Sequence, residues 1–151
     1  MTKTFIIQNE KEMVLLAESF VSIAQKKDVF ALYGTLGVGK TTFARAFIKK
    51  MTQAKEIPSP TFTLVQSYPY NDIEINHLDL YRIKDPQDVF ELGFEDMLHN
   101  GITLIEWPEK ADYLLPKDIF IVEIKMADNI RTVNVKCGSK EKEIRLEKVN
   151  V

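Results

Sequence analysis

Gly34-Thr35-Leu36-Gly37-Val38-Gly39-Lys40-Thr41-Thr42 limits most severely what this chain folds into. The stretch fits G-x-x-x-x-G-K-[ST], the pattern of a phosphate-cradling P-loop. Its flanks suit it. Val29-Phe30-Ala31-Leu32-Tyr33 is a short apolar run with β-branched and aromatic members, the profile of a buried strand. Phe43, Ala44, Phe47, Ile48 and Met51 follow at helical spacing, with Arg45, Lys49 and Lys50 between them. The expected order is strand, glycine loop, helix. A plain glycine-rich turn would need neither flank.

The residue types match the chemistry. Glycines let the backbone close around an anion, and successive N–H groups then form a nest for phosphate oxygens. The N-terminus of the following helix adds partial positive charge. Thr35, Leu36, Gly37, Val38, Gly39, Lys40, Thr41 and Thr42 are therefore the candidate nucleotide contacts. Lys40 is expected to reach the β- and γ-phosphates, and the Thr41 hydroxyl to ligate Mg²⁺.

The 151 residues favour one domain, 1–151. A formal net charge of -2 disfavours direct, sequence-independent grip on nucleic acid. It still allows an acidic module within a larger RNA-handling assembly. The single cysteine, Cys137, permits no intrachain disulfide, and two histidines plus one cysteine, widely spaced, make no zinc site. The N-terminus shows no signal-peptide pattern and no apolar stretch approaches the length of a membrane span, so a cytoplasmic placement is expected.

A first strand is expected over residues 4–7, then a helix capped by Asn9, with Glu12 at capping-box spacing. Met13, Leu16, Ala17, Phe20 and Ala24 carry its apolar face. Pro58 and Pro60 forbid regular structure around Thr61. A strand over 64–68, stopped by Pro69, pairs through an Asn71-Asp72 turn with a second that leads to Asp79. Asp85-Pro86 starts a short helix that Gly93 ends, and another spans 95–99. Ile102-Thr103-Leu104-Ile105 reads as a buried strand ending in Glu106, and Trp107-Pro108 breaks it. Residues 119–125, 132–136 and 143–146 read as three further strands. The fold class is α/β: a P-loop NTPase-like three-layer sandwich with a mixed central sheet.

A P-loop nucleotidase needs a second Mg²⁺-handling carboxylate at a strand end near the loop. Glu106 and Asp79 both qualify. Thr61, in its proline-flanked loop, is a candidate γ-phosphate sensor. Arg82 reads more readily as a salt-bridge residue than as an arginine finger, Trp107 as packing, and His77 and His99 as structural residues without evident partners. The guanine-selecting [NT]KxD motif is absent, so adenine is the default base. An arginine-bearing kinase lid is absent too, although a small nucleoside or metabolite kinase stays open as the alternative.

The motifs together resemble the TsaE (YjeE) family, P-loop ATPases of bacterial tRNA threonylcarbamoyladenosine biosynthesis. The matching pieces are the P-loop, Ser59-Pro60-Thr61-Phe62-Thr63-Leu64-Val65, His77-Leu78-Asp79-Leu80-Tyr81-Arg82 and Glu106-Trp107, over about residues 5–125. The resemblance implies a weak Mg²⁺-dependent ATPase that supports the TsaB–TsaD pair. In that pair TsaD transfers threonylcarbamoyl to a tRNA adenosine, so contact with tRNA would be indirect, and no membrane is involved. It further implies that Lys40 binds phosphate, Thr41 and Glu106 hold Mg²⁺, Asp79 serves hydrolysis, and Glu10 lies near the nucleotide. Thr35 departs from the family's usual Asp or Glu, which leaves backbone binding of phosphate intact.

Overall fold

In the computed structural model, which describes residues 1–151, the chain opens with β1 (Thr2–Ile7), α1 (Glu10–Val21), β2 (Val29–Tyr33) and α2 (Lys40–Thr52). A hairpin of β3 (Val65–Tyr70) and β4 (Ile73–Asp79) follows, then the short helices α3 (Pro86–Glu91) and α4 (Phe94–Asn100). The remainder is β5 (Gly101–Glu106), a kinked 3-10 segment (Pro108–Leu114), β6 (Phe120–Ala127), β7 (Ile130–Cys137) and α5 (Lys140–Leu146). The strands form one seven-stranded sheet in the order β1-β7-β6-β2-β5-β4-β3. Its centre is parallel (β6, β2, β5, β4) and both margins are antiparallel, so the sheet is mixed as expected.

β2 shows how the layers arise. Successive side chains of a strand point to opposite faces. Phe30 and Leu32 enter a 25-residue apolar cluster with α1 and α2, to which Leu146 and Val149 at the C-terminus also belong. Val29 and Ala31 enter a 10-residue cluster under α3, α4 and the 3-10 segment. The result is a three-layer α/β sandwich. Phe20 of α1 sits edge-on to Phe5, Phe30, Phe43 and Phe120, which locks α1, α2 and the sheet together. No helix is long and apolar enough to cross a membrane.

The local signals act with some changes of detail. Asn9 accepts from the Glu12 N–H at 2.9 Å, while Glu12 Oε1 accepts from Gln8 N–H rather than from Asn9. Asp85 caps α3, with Pro86 in its first turn. Two expectations need correction. Pro69 does not stop its strand but lies inside β3, opposite Glu74. The two-residue turn makes Tyr70 and Ile73 the hydrogen-bonded pair, so Pro69 faces away from β4, at a sheet edge where no donor is needed.

Residues 143–146 are helical, not extended. Ser139 caps α5 by accepting from Lys142 N–H at 3.2 Å, and the helix formers of 140–146 do the rest. Only the helix brings Arg145 to Asp28: Nη1 and Nη2 reach the two carboxylate oxygens at 2.7 and 2.9 Å, and Nη1 also meets Ile23 O. These bonds to Asp28 raise the guanidinium's pKa.

β5 begins at Gly101 because nothing larger fits. A Cβ there would lie 2.2 Å from Glu74 O on β4. Gly101→Ala should therefore force β4 and β5 apart. The expected cost is about 1–3 kcal/mol, read as a melting temperature lowered by several degrees. An unchanged melting temperature would refute this packing.

Candidate nucleotide-binding site

Three parallel neighbours bring the site together. In register, Asp79 of β4 pairs with Glu106 of β5, and Glu106 pairs with Leu32 of β2. Asp79, Glu106 and the loop after β2 thus emerge at one edge of the sheet, where ligands bind in open α/β folds. Gly39, at φ 123, is the residue from which α2 starts; that backbone conformation favours glycine. At Gly34 a Cβ would meet Val38 Cγ1 at 2.7 Å and Ile124 O at 2.8 Å, so the loop rests directly on β6.

Lys40 folds back under this loop. It is only 4% exposed, its Nζ donates to Gly34 O at 2.5 Å, and the ammonium lies 3.3 Å from the centre of the Trp107 ring. Burial lowers its pKa, opposed by the negative charges of Glu106, Glu109 and Asp79. Trp107 reaches it from a left-handed backbone (φ 59) just after β5.

Beside Lys40, the Thr41 hydroxyl donates to Glu106 Oε1 at 2.7 Å, and Glu106 Oε2 lies 2.6 Å from His77 Nε2. A parallel chain runs one strand over. Thr61 Oγ1 donates to Asp79 Oδ2 at 2.9 Å, Tyr81 N–H donates to Oδ1 at 3.0 Å, and Ser59 Oγ is 2.9 Å from Thr61 Oγ1. Thr61 is therefore tied to Asp79 and is not a free loop hydroxyl. The irregular loop is pinned at its far end, where Leu64 N–H meets Pro60 O and Leu64 O accepts from Asp79 N–H.

Lys40, Thr41, Glu106, Thr61 and Asp79 face a cavity of about 450 Å³. Of the expected residues, Glu10, Leu36, Gly37, Gly39, Lys40, Thr41, Thr42, Thr61, Asp79 and Glu106 are on its wall. Thr35 and Val38 are not: Thr35 is exposed and Val38 is buried in the larger core cluster. Three single-residue expectations change. His77 is partnered by Glu106; Trp107 covers Lys40; and Arg82 makes no ion pair but stacks over Phe62 at 4.5 Å.

Tyr81, Arg82 and Trp107 are on the wall too, and sequence reasoning missed Met13 and Arg131, which complete it. Arg131 of β7 donates from Nε to Val38 O at 2.6 Å, bracing the loop from the far side. Nothing local marks it, because 93 positions separate the two residues and only the β6–β7 hairpin brings them together.

The chain is similar to known proteins over most of its length. The family model described as "Threonylcarbamoyl adenosine biosynthesis protein TsaE" matches residues 7–134. Proteins named tRNA threonylcarbamoyladenosine biosynthesis protein TsaE are similar along most of the chain. The Rickettsia bellii protein is 40% identical, covering 82% of this chain and 87% of its own. That of Haemophilus influenzae is 33% identical, with 87% of each chain covered. The crystal structure of Bacillus subtilis YdiB superposes with a TM-score of 0.83 at 25% identity, covering 99% of this chain and 94% of its own. The family model spans the loop, the hairpin and both carboxylates, and on that ground the chain belongs to the TsaE family.

Proposed function

We propose that this protein binds ATP with Mg²⁺, hydrolyses it slowly, and thereby supports a TsaB–TsaD-like protein complex in forming threonylcarbamoyladenosine on tRNA in the cytoplasm. The observation that carries the reading is the Thr41–Glu106 contact at 2.7 Å beside a buried Lys40, at the mouth of a glycine loop. The donor set fits the cofactor. Mg²⁺ is held by one or two protein oxygens together with phosphate and water oxygens. Thr41 Oγ1 and Glu106 Oε1 are such a pair, and no cluster of three or more His, Cys, Asp or Glu side chains offers a self-sufficient metal site. Thr41 and Glu106 would hold the ion, which would neutralise negative charge on the phosphates.

The chain's own groups have separable tasks. Backbone N–H groups of the loop and Lys40 Nζ bind phosphate oxygens. Asp79, held at Oδ1 by Tyr81 N–H, offers Oδ2 to orient an attacking water. Thr61 shares that oxygen, so a γ-phosphate that drew the threonine away would also release Asp79. A ligand shifts a conformational equilibrium only by binding its two states differently. Thr61 would supply that difference, and the proline-braced loop would carry it to Phe62, which is 81% exposed.

Alone, the protein should release phosphate from ATP slowly and phosphorylate no metabolite; with its partners, turnover should rise. Thr61→Ala is expected to leave nucleotide affinity within severalfold and to remove the partners' acceleration. Multiple-turnover modification of tRNA by the reconstituted partners is the assay. Modification that runs equally well without this protein would refute the proposed role.

A further inference from the structure

We propose that His77 is the positioning residue for Glu106, holding the carboxylate in the orientation that presents Oε1 to Thr41. The inference rests on the nucleotide and magnesium reading above. In register, His77 of β4 pairs with Leu104 of β5. Glu106 is two residues further along β5, so both side chains lie on the face that carries α2. His77 is fully buried, Glu106 is 2% exposed, and His77 Nε2 is 2.6 Å from Glu106 Oε2. Each carboxylate oxygen thus has its own donor: the imidazole on Oε2 and the Thr41 hydroxyl on Oε1.

The ring's role as donor follows from its partner. A carboxylate only accepts, so Nε2 carries the proton. Nδ1 is buried with no partner. Nε2 is thus the ring's one hydrogen-bonding nitrogen, donating to Glu106 Oε2. Without it, Oε2 would be a buried carboxylate oxygen lacking a donor, open to the attraction of the Lys40 ammonium, on which Glu106 already acts. A Glu106 turned towards Lys40 would withdraw both groups from the ligand. Partners that orient a metal-binding carboxylate typically alter metal affinity 10–100-fold when removed.

Two measurements test the assignment. Nitrogen-15 NMR of the nucleotide-free protein at neutral pH should show His77 protonated at Nε2; a tautomer protonated at Nδ1 alone would overturn the inference, and needs no variant. Calorimetry of ATP binding across a magnesium series should show the half-saturating Mg²⁺ concentration raised about 10–100-fold in His77→Leu, with metal-free ATP affinity unchanged. In His77→Gln, whose amide N–H reaches the place of Nε2, it should stay near the wild-type value. If His77→Leu does not fold, His77→Asn replaces it, because its amide is too short to reach Oε2. Equal losses in the glutamine variant and its counterpart, or no loss in either, would refute a donor role for Nε2. A wild-type protein whose ATP binding ignores Mg²⁺ would instead refute the function proposed above, leaving the NMR result to decide His77.

Discussion

Lys40→Ala is expected to weaken ATP binding by roughly 100-fold or more, with little change in melting temperature. Hydrogen bonds to charged groups are worth about 1.5–3 kcal/mol each, and an ammonium shared between β- and γ-phosphate oxygens makes more than one. The loss would not reflect unfolding. The ammonium is buried, and burial already disfavours its charged form, so its removal relieves desolvation while losing one bond to Gly34 O and the contact with the Trp107 ring. Lys40→Arg should fail too. The space between Gly34 O and the Trp107 ring, 3.3 Å from Nζ to the ring centre, holds a compact ammonium and not a planar fork. Calorimetry with ATP and ADP is the measurement, and wild-type affinity in Lys40→Ala would sink the nucleotide assignment.

The second large effect separates the two carboxylates. Asp79→Ala should retain ATP affinity within severalfold and lose turnover by at least about 100-fold, the lower range for a missing proton-handling group. Glu106→Ala should lose turnover comparably, and with it the Mg²⁺ dependence of binding. The difference follows from their partners. Asp79 is tied to Thr61 of the proline-flanked loop and to Tyr81 N–H, whereas Glu106 is tied to Thr41 at the start of α2 and to His77. Because Asp79→Ala also releases Thr61, Asp79→Asn is the control: it keeps an acceptor for the loop and should still lose turnover. Single-turnover phosphate release divides binding from chemistry. Unchanged release in Asp79→Ala or Glu106→Ala would make that residue structural.

Much of this site is legible in the chain because its parts are short, local and chemically specific. The glycine loop sits between a β-patterned run and a helix-patterned one, and Glu106 ends an apolar run of four residues. The places where reading fails share one trait: a few residues whose pattern fits two structures, decided by a distant neighbour. Ile144 and Leu146 alternate with charges as a strand would, yet the segment is helical, and as a helix it delivers Arg145 to Asp28, 117 positions away. Pro69 reads as a stop until its place on an edge strand is known.

Strand, loop and helix around Lys40, the caps at Asn9 and Asp85, and the break at Trp107-Pro108 follow from neighbours in sequence, since dihedral preferences, capping and apolar periodicity act over a few residues. Partnership does not. That Glu106 is shared by Thr41 and His77, that Thr61 belongs to Asp79, and that Trp107 covers Lys40 depend on the order β2-β5-β4 and on a register that puts Asp79 level with Glu106. Arg131 reaches the loop only because β7 folds back on β6. Hydrogen bonds form between side chains a few ångströms apart whatever their separation along the chain, so the packed sheet selects among partners that no local pattern distinguishes.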